Sequence, residues 1–309
     1  RVLEARFSGI DIASEYLDWK RHPNENALAL QIPTLRSRYA DSPPDLVLTT
    51  DDAALLFALD NREDLFGNAP IVFCGVMEES ALPLRAAHGQ LTGVIENFDV
   101  AGTIQAAFTM LPDTKRVILV YDNMETGSPL AVMAEEILKE TAPQCAVEHW
   151  NTMSALQIRN GARTLPKDTV ILFMSYSRDA EGLVLPMDQF GDLLFSNSSV
   201  PVFTLHDFAM GHQVIGGSVI SGPRHAEAAA QLAIRVLGGV SAGDIPLVNA
   251  STVSMQFDYN QMVRYGIEES DLPPESEILF RPFSFYRTYQ PLVLSVVAIF
   301  AILLTMLAG

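Results

Sequence analysis

Short apolar runs alternate along this chain with longer amphipathic stretches. Residues 170–174 read Val-Ile-Leu-Phe-Met, and residues 117–120 read Val-Ile-Leu-Val. Continuous apolar runs of this kind are typical of parallel strands that are buried on both faces. The amphipathic stretches between them indicate helices that cover the sheet. The pattern therefore predicts an α/β fold in which parallel sheets are flanked by helices.

The predicted elements fall into two sets. Strands are predicted at residues 10–16, 45–49, 71–75, 91–95, 116–121, 146–150, 169–175 and 201–205, with a strand-like stretch at 252–257. Helices are predicted at residues 24–39, 52–61, 100–111, 129–141, 154–164, 187–195 and 224–237. The strands up to residue 95 form one set and those from residue 116 form a second, so we expect two sheets.

The last segment differs in composition from the rest. Residues 291–309 carry no charge and are almost entirely apolar. A membrane helix needs about 20 apolar residues, and Tyr286, Arg287, Tyr289 and Gln290 precede the run like an anchor at the headgroups. We expect a transmembrane helix at residues 290–309 that projects unpacked from the soluble body. A buried core helix is disfavoured because this run has no polar face. The first residue is Arg rather than Met, so we expect a piece of a longer protein.

Composition excludes some partners. The formal charge is −17, from 37 acidic and 20 basic residues. This negative charge disfavours binding to nucleic acid and to anionic membrane surfaces, because both are bound mainly through Lys and Arg. Cys74 and Cys145 lie far apart without metal-type spacing, so we expect buried thiols, with a disulfide left open.

Metal and catalytic motifs are not evident. His206, Asp207 and His212 lie close together in sequence but lack the spacing of a metal site, so His that is solvated or lines a cleft is favoured. Activated-nucleophile, P-loop and dinucleotide motifs are not found. We therefore predict no metal, no cofactor, no catalytic residue and no enzymatic activity for this segment. An α/β hydrolytic enzyme is a weaker alternative.

Four short sequence motifs occur in an order and at spacings that are informative. Residues 15–21 read Glu-Tyr-Leu-Asp-Trp-Lys-Arg, residues 45–54 Asp-Leu-Val-Leu-Thr-Thr-Asp-Asp-Ala-Ala, and residues 70–76 Pro-Ile-Val-Phe-Cys-Gly-Val; Gly216-Gly217 precedes a helix over 226–237 and Gly238. Together they resemble the ABC-transporter substrate-binding-protein family, in the version that serves as an extracytoplasmic sensor on membrane-bound signalling proteins.

The resemblance implies a two-lobed, periplasmic-binding-protein-like clamshell, each lobe a parallel sheet flanked by helices. Residues 1–97 and 221–244 would form the first lobe, 98–220 and 245–265 the second, 266–289 a neck and 290–309 the transmembrane helix. The family opens with a strand and most of a helix before the motif at residue 15, of which only residues 1–6 match here. The first lobe would therefore lack its N-terminal strand.

Ligands of open parallel sheets bind at the carboxyl ends of the strands. The loops at those ends are residues 49–52, 74–76, 96–99, 121–123, 175–177 and 206–207. From them we predict the following ligand-binding residues: Thr50, Asp51, Cys74, Gly75, Asn97, Tyr121, Ser175, Tyr176 and Asp207.

Several of these residues have a structural alternative. Asp51 and Asp52 resemble an acid–base pair, but a helix cap is favoured because adjacent carboxylates seldom face one reacting atom. Ordinary strand-end turns remain open for Tyr121 and for Ser175 to Ser177. The expected ligand is a small polar, partly planar molecule, an amino acid or similar metabolite.

The resemblance implies a function for the whole. We expect an extracytoplasmic small-molecule sensing domain of a membrane signal-transduction protein, with ligand bound between the lobes and closure transmitted to the membrane helix. Residues 1–289 would be periplasmic, anchored in the cell inner membrane, and the full-length protein would carry a cytoplasmic histidine kinase or nucleotide cyclase domain. The alternative is a membrane-anchored substrate-binding receptor of an ABC transporter. A homodimer remains open.

Overall fold

The computed structural model describes residues 1–184, 189–249, 253–283 and 285–308. The first two residues of the predicted helix at 187–195, the first of the predicted strand at 252–257, and Gly309 lie outside the described residues. Side chains are also not described for residues 285–288, 291, 307 and 308.

The first sheet has three parallel strands in the order β1-β2-β3. They are β1 (Val47–Thr50), β2 (Ile71–Met77) and β3 (Leu91–Glu96). The helices around this sheet in chain order are α1 (Val2–Arg6), α2 (Glu25–Tyr39), α3 (Asp52–Asp60), α4 (Arg62–Phe66) and α5 (Glu78–Ala87), with α10 (Gly222–Leu237) returning from later in the chain. We call this sheet with these helices the first unit.

The second sheet has seven strands in the order β10-β9-β8-β7-β6-β4-β5. They are β4 (Arg116–Val120), β5 (Ala146–Trp150), β6 (Thr169–Phe173), β7 (Val202–Thr204), β8 (Gly216–Ile220), β9 (Val253–Asp258) and β10 (Glu277–Leu279). All neighbours are parallel except β8 and β9. The helices of this second unit are α6 (Val100–Met110), α7 (Gly127–Thr141), α8 (Ala155–Ala162), α9 (Phe190–Phe195) and α11 (Tyr259–Tyr265).

The predicted α/β fold with parallel-dominated sheets and flanking helices is confirmed. Strand β6, which the sequence marks as the most apolar run, is buried along its whole length. Its Phe173 ring packs edge-on against Phe195, with the ring centroids 5.3 Å apart. Apolar side chains on both faces of β6 explain why it lies inside the sheet rather than at its edge.

Helix α10 joins the first unit although it follows the second sheet in sequence. Its buried side chains include Ala229, Leu232, Ala233 and Val236, which share one face at helical spacing and pack against β2 and β3. The short residues allow the helix to approach the sheet closely. The chain then runs back along β3, where the Val248 amide donates to the carbonyl of Gly93 at 2.9 Å.

Residues 10–16 do not form the predicted strand. They are extended and mostly exposed, with Tyr16 84% exposed. A strand is stabilised by a neighbour in the hydrogen-bonding direction. The first sheet ends at β1, and these residues form no ladder with it. The alternating apolar side chains of residues 10–16 therefore have no sheet to which they could add a strand.

Two short strands escape sequence analysis. Gly216 and Gly217, which the sequence analysis assigned to no strand, begin β8. A Cβ at Gly216 would lie 1.9 Å from the carbonyl oxygen of Gln256, and φ there is +127°, so β9 approaches too closely for any side chain. Residues 277–279 of the predicted neck form β10, which pairs with β9 at the edge of the second sheet.

Helix α12 (Phe285–Ala308) covers most of the predicted membrane segment. Its apolar side chains are exposed from Leu292 to Met306, apart from the half-buried Val293. Among the residues that the structure describes, no helix combines the length and hydropathy needed to cross a membrane.

Candidate functional site

A group of charged side chains lies where the two units meet. It consists of Lys20, Asp51, Asp52 and Glu96 of the first unit and Glu125 and His206 of the second, and we call it the junction cluster. Within it, the Lys20 Nζ lies 3.4 Å from Asp51 Oδ2. The carboxyl ends of β1, β3 and β7 place three of these residues, as expected for a ligand site on parallel sheets.

Asp51 has an unusual backbone. Its φ of +69° and ψ of 161° fall in a region that is essentially reserved for glycine. The conformation is held by a hydrogen bond from the Asp51 amide to the Cys74 carbonyl at 3.0 Å. Gly75 makes room opposite, since a Cβ there would lie 3.1 Å from Asp51 Oδ1. Strain of this kind is typical of functional positions, where the surrounding structure over-determines the backbone.

This strain predicts an unusual mutational order. Asp51→Gly and Asp51→Ala both remove the carboxylate and its exposed contact with Lys20, but only glycine adopts the observed backbone freely. We expect the glycine variant to be more stable than the alanine variant by about 1 kcal/mol, since about 1–3 kcal/mol of strain is relieved and part is offset by unfolded-state entropy. Urea denaturation of the two variants measures this, and an alanine variant of equal or greater stability would contradict the strain.

Glu96 ends β3 at the junction. Burial, together with the charges of Asp51 and Asp52, raises the pKa of Glu96 to about 7, against the opposing effect of Lys20. The backbone that carries it is fixed from the other side of the sheet, because His225 of α10 donates from Nε2 to the carbonyl of Ile95 at 3.0 Å. The backbone next to Glu96 is therefore held by α10, and the raised pKa of the Glu96 carboxyl lies near neutral pH.

His206 follows β7 and is buried, at 7% exposure. Its ring stacks on Phe208, with centroids 4.7 Å apart, and meets Phe98 edge-on at 5.1 Å. Burial, and to a lesser degree the charge of Lys20, lowers its pKa to about 3, so the imidazole is neutral. Its Nε2 has no hydrogen-bond partner among the described residues. An unpaired buried polar atom is costly and is often a place where a ligand or water binds.

One hydrogen bond and one electrostatic interaction link the units across the junction cluster. The indole Nε1 of Trp19 donates to Glu125 Oε1 at 3.0 Å, and these two residues are far apart in sequence. Asp52 begins α3, and its pKa is raised by burial and by the charges of Asp51 and Glu125, while a hydrogen bond from Ser80 opposes this. The loop after β4 thus faces the start of α3.

Several predicted site residues lie around the junction cluster. Thr50 and Asn97 are exposed beside Asp51 and Glu96, and Asp207 is half-buried next to His206. Cys74 is buried, with its Sγ 3.7 Å from the Thr49 carbonyl, and burial raises the pKa of its thiol to about 11. It is a neutral thiol below the Asp51 backbone. Both cysteines are free, in agreement with the buried-thiol expectation.

The two predicted tyrosines form hydrogen bonds and ring contacts inside the second unit. The Tyr121 hydroxyl lies 3.0 Å from His149 Nδ1 within the core around α7. Tyr176 is 2% exposed, donates to the Met153 carbonyl at 3.1 Å, and packs edge-on against Phe190. Ser175 is buried, and its carbonyl accepts from the Asp122 amide at 2.9 Å. These contacts connect strand-end loops within the second unit.

Carboxylates of the chain itself occupy the backbone donors at these strand ends. Asp122 Oδ2 accepts from the Ser177 amide at 2.6 Å and from its hydroxyl at 2.7 Å. Asp179 Oδ2 accepts from the Ala155 amide at the start of α8 at 3.0 Å. Asp99 caps α6 through the Gly102 amide at 2.8 Å, as an Asp at this position predicts. These three backbone donors are therefore already filled.

No protein-family model matches this sequence, and no curated protein matches it by sequence. Among solved structures, the chain resembles the ligand-free, open form of CD0873, a substrate-binding protein with adhesive properties from Clostridium difficile. The TM-score is 0.58 at 16% identity, over 82% of this chain and 84% of that one. The ABC domain from Streptococcus pneumonia in complex with L-Trp gives 0.58 at 17% identity, over 81% and 84%. A conserved domain protein from Vibrio cholerae gives 0.56 at 16% identity, over 81% and 83%. The chain has the fold of substrate-binding proteins.

Proposed function

We propose that this chain is an extracytoplasmic sensing domain that binds a small molecule between its two units. The observation that carries the proposal is the junction cluster. It combines a strained Asp51, a half-buried Glu96 with a raised pKa and an unpaired His206 nitrogen, contributed from both units. The fold supports it, since solved structures with the same fold include substrate-binding proteins, one of them in complex with L-Trp.

The proposed mechanism is a shift between an open and a closed arrangement. A ligand that contacts both units binds the closed form better and so increases its population. The Trp19–Glu125 hydrogen bond lies on the path of such a motion. Movement of the second unit would then displace β10, which pairs with β9 shortly before α12 begins.

We further propose, from the sequence of residues 290–309 rather than from the described helices, that this run anchors the chain in the cell inner membrane, with residues 1–289 in the periplasm. The uncharged sequence of this run and its exposed apolar side chains from residue 292 to 306 support an anchor. A histidine kinase or nucleotide cyclase after the anchor would make the protein a signal transducer. A transporter receptor is the alternative that the substrate-binding fold also supports; ligand-dependent output by the full-length protein separates the two.

Binding is tested with a panel of the proteinogenic amino acids and their decarboxylated amines. Thermal shift identifies ligands and calorimetry measures their affinity. We expect Asp51→Ala to weaken the best ligand by about 1.5–3 kcal/mol through loss of a charge-assisted hydrogen bond. Asp113→Ala, an exposed carboxylate away from the junction cluster, is the matched control. Unchanged affinity in the Asp51 variant would place the pocket elsewhere, and a panel without any ligand would count against the proposed function.

A further inference from the structure

We propose that the junction cluster selects an organic cation, a primary amine on a flat apolar group without a carboxylate, and that Glu96 and His206 are the selecting residues. This inference rests on the function proposed above and narrows it to one class of ligand. The proposed ligand differs from the amino acid predicted from the sequence, because an amino acid carries a carboxylate as well as an amine.

The first argument is charge. The junction cluster holds four carboxyl groups, those of Asp51, Asp52, Glu96 and Glu125. Lys20 is the cation that the described part of the chain places against them, and it is already in contact with Asp51. Neighbouring carboxylates repel one another, and the charges of Asp51 and Asp52 both act on the half-buried Glu96. This excess negative charge is unfavourable unless protons or a cation offset it. A cationic ligand relieves that repulsion, and an anionic one adds to it.

The second argument is the state of the backbone donors. A ligand carboxylate in an α/β protein usually binds at helix N-termini near the strand ends. Here Asp99 occupies the Gly102 amide of α6, and Asp179 occupies the Ala155 amide of α8. Asp122 likewise occupies the Ser177 amide. At these three positions a ligand carboxylate would compete with a carboxylate of the chain. The amides at the start of α3 have no side-chain cap, but they lie beside the carboxylates of Asp51 and Asp52.

The third argument is His206, which is independent of the acidic residues. Its Nε2 is buried and has no partner among the described residues, and its imidazole interacts with Lys20 of the junction cluster. In the tautomer protonated at Nδ1, Nε2 presents a lone pair. A neutral ring accepts a hydrogen bond from an ammonium group without charge repulsion. The unpaired nitrogen and the carboxylates are therefore both acceptors that suit an ammonium group.

The surroundings of His206 indicate what the amine is attached to. Phe98 and Phe208 enclose the imidazole, and Phe208 and Trp19 are half-buried rather than covered. Aromatic rings favour a flat apolar group, and their faces also attract a nearby cation. A flat ring with an aminoalkyl chain fits both features.

The charge state of Glu96 gives the inference a pH signature. Glu96 faces Asp51 and Asp52 from the start of α3, Lys20 from the segment before α2, and the Cys74 thiol from β2. A bound ammonium group favours ionised Glu96 and lowers its pKa. Binding near pH 7 should therefore release protons. Affinity should rise from pH 6 to pH 8 and then level off once Glu96 is ionised in the free protein.

The test compares three probes that share one ring: phenethylamine, phenylalanine and phenylacetate. Calorimetry at pH 8 should show phenethylamine binding at least about 10-fold tighter than phenylalanine, and no binding of phenylacetate. Glu96→Gln should weaken phenethylamine about 10- to 100-fold, the range expected for a charge-assisted hydrogen bond, and should remove the proton release. His206→Phe should also weaken it, whereas Glu140→Gln on the exposed end of α7 should not.

The outcomes separate this inference from the proposed function. If phenylalanine or phenylacetate binds as tightly as phenethylamine, the cation preference is overturned and a ligand site at the junction stands. The same holds if the wider panel yields only zwitterionic ligands. If no compound of either set binds, both proposals fail. Phenethylamine binding that is unaffected in both the Glu96→Gln and His206→Phe variants would overturn their role as selecting residues.

Discussion

Glu96→Gln is expected to change the free energy of unfolding more favourably at pH 8 than at pH 5, and the difference between the two pH values should be roughly 3 kcal/mol. The pKa of Glu96 is raised to about 7 in the folded state, chiefly by burial. Between the ordinary carboxyl pKa and pH 7 the folded state therefore binds more protons than the unfolded state. Wild-type stability falls as pH rises through this window, and the loss is complete above pH 7. Glutamine resembles the protonated side chain at every pH and escapes this loss.

Urea denaturation of wild type and variant at pH 5, 6, 7 and 8 measures this effect. The difference between the two proteins isolates Glu96 from the many other carboxylates, which titrate in both. Glu140→Gln is the control for a generic loss of negative charge and should follow the wild-type curve. Parallel stability curves for wild type and the Glu96 variant would show that Glu96 ionises normally in the folded protein.

Asp122→Ala is expected to lower the free energy of unfolding by roughly 3 kcal/mol. The Asp122 carboxylate is buried and accepts hydrogen bonds from the Ser177 amide, the Ser177 hydroxyl and the Met124 amide. Alanine leaves buried donors without a partner, and this desolvation cost exceeds the value of the bonds themselves. Since the bonds join the loops after β4 and β6, the loss should also loosen the second unit's side of the junction.

Chemical denaturation gives the stability, and amide hydrogen exchange gives its location. Exchange at Ser177 should accelerate in Asp122→Ala beyond the amount explained by global stability. Asp122→Asn retains an acceptor oxygen and should lose less, while Asp113→Ala on the surface should be close to neutral. A loss for Asp122→Ala no larger than that for Asp113→Ala would contradict the bracing role.

Much of the fold could be predicted because its main helices and strands have clear local patterns of apolar and polar residues. The run at β6 is apolar on both faces, and α10 carries its Ala and Leu residues on one helical face. Residues 10–16 carry a similar local signal but have no partner strand, which the local pattern cannot reveal. Strand β10 is only three residues long, too short to show any alternation.

The candidate site could be predicted to the loop but not to the side chain. Successive residues of a strand point to opposite faces, so an error of one position exchanges core and cleft. At the end of β4 the sequence analysis selected Tyr121, but the adjacent Asp122 forms the hydrogen bonds that join the loops after β4 and β6. After β6 it selected Tyr176, whereas Ser177 is the residue that donates these hydrogen bonds to Asp122.

Glu96 and His206 lie in loops that the sequence analysis identified, but it did not select them as ligand-binding residues, for a related reason. Glu96 stands next to Asn97, which was selected, and His206 next to Asp207. Their importance comes from burial and from distant neighbours: Asp51 for Glu96, and Phe98 with Lys20 for His206. Neither follows from spacing in the sequence. The signal that was present is their position at the carboxyl ends of two strands.

The central claim, that a small molecule bound between the units changes their arrangement, is tested most directly by a distance across the junction. Glu63→Cys on α4 and Glu140→Cys on α7 place spin labels at exposed positions on the two units, while Cys74 and Cys145 are buried. Pulsed electron paramagnetic resonance then compares the free protein with the protein saturated by the tightest ligand of the panel. We predict a shorter and narrower distance distribution with ligand. Identical distributions, when calorimetry shows the site to be full, would contradict the account.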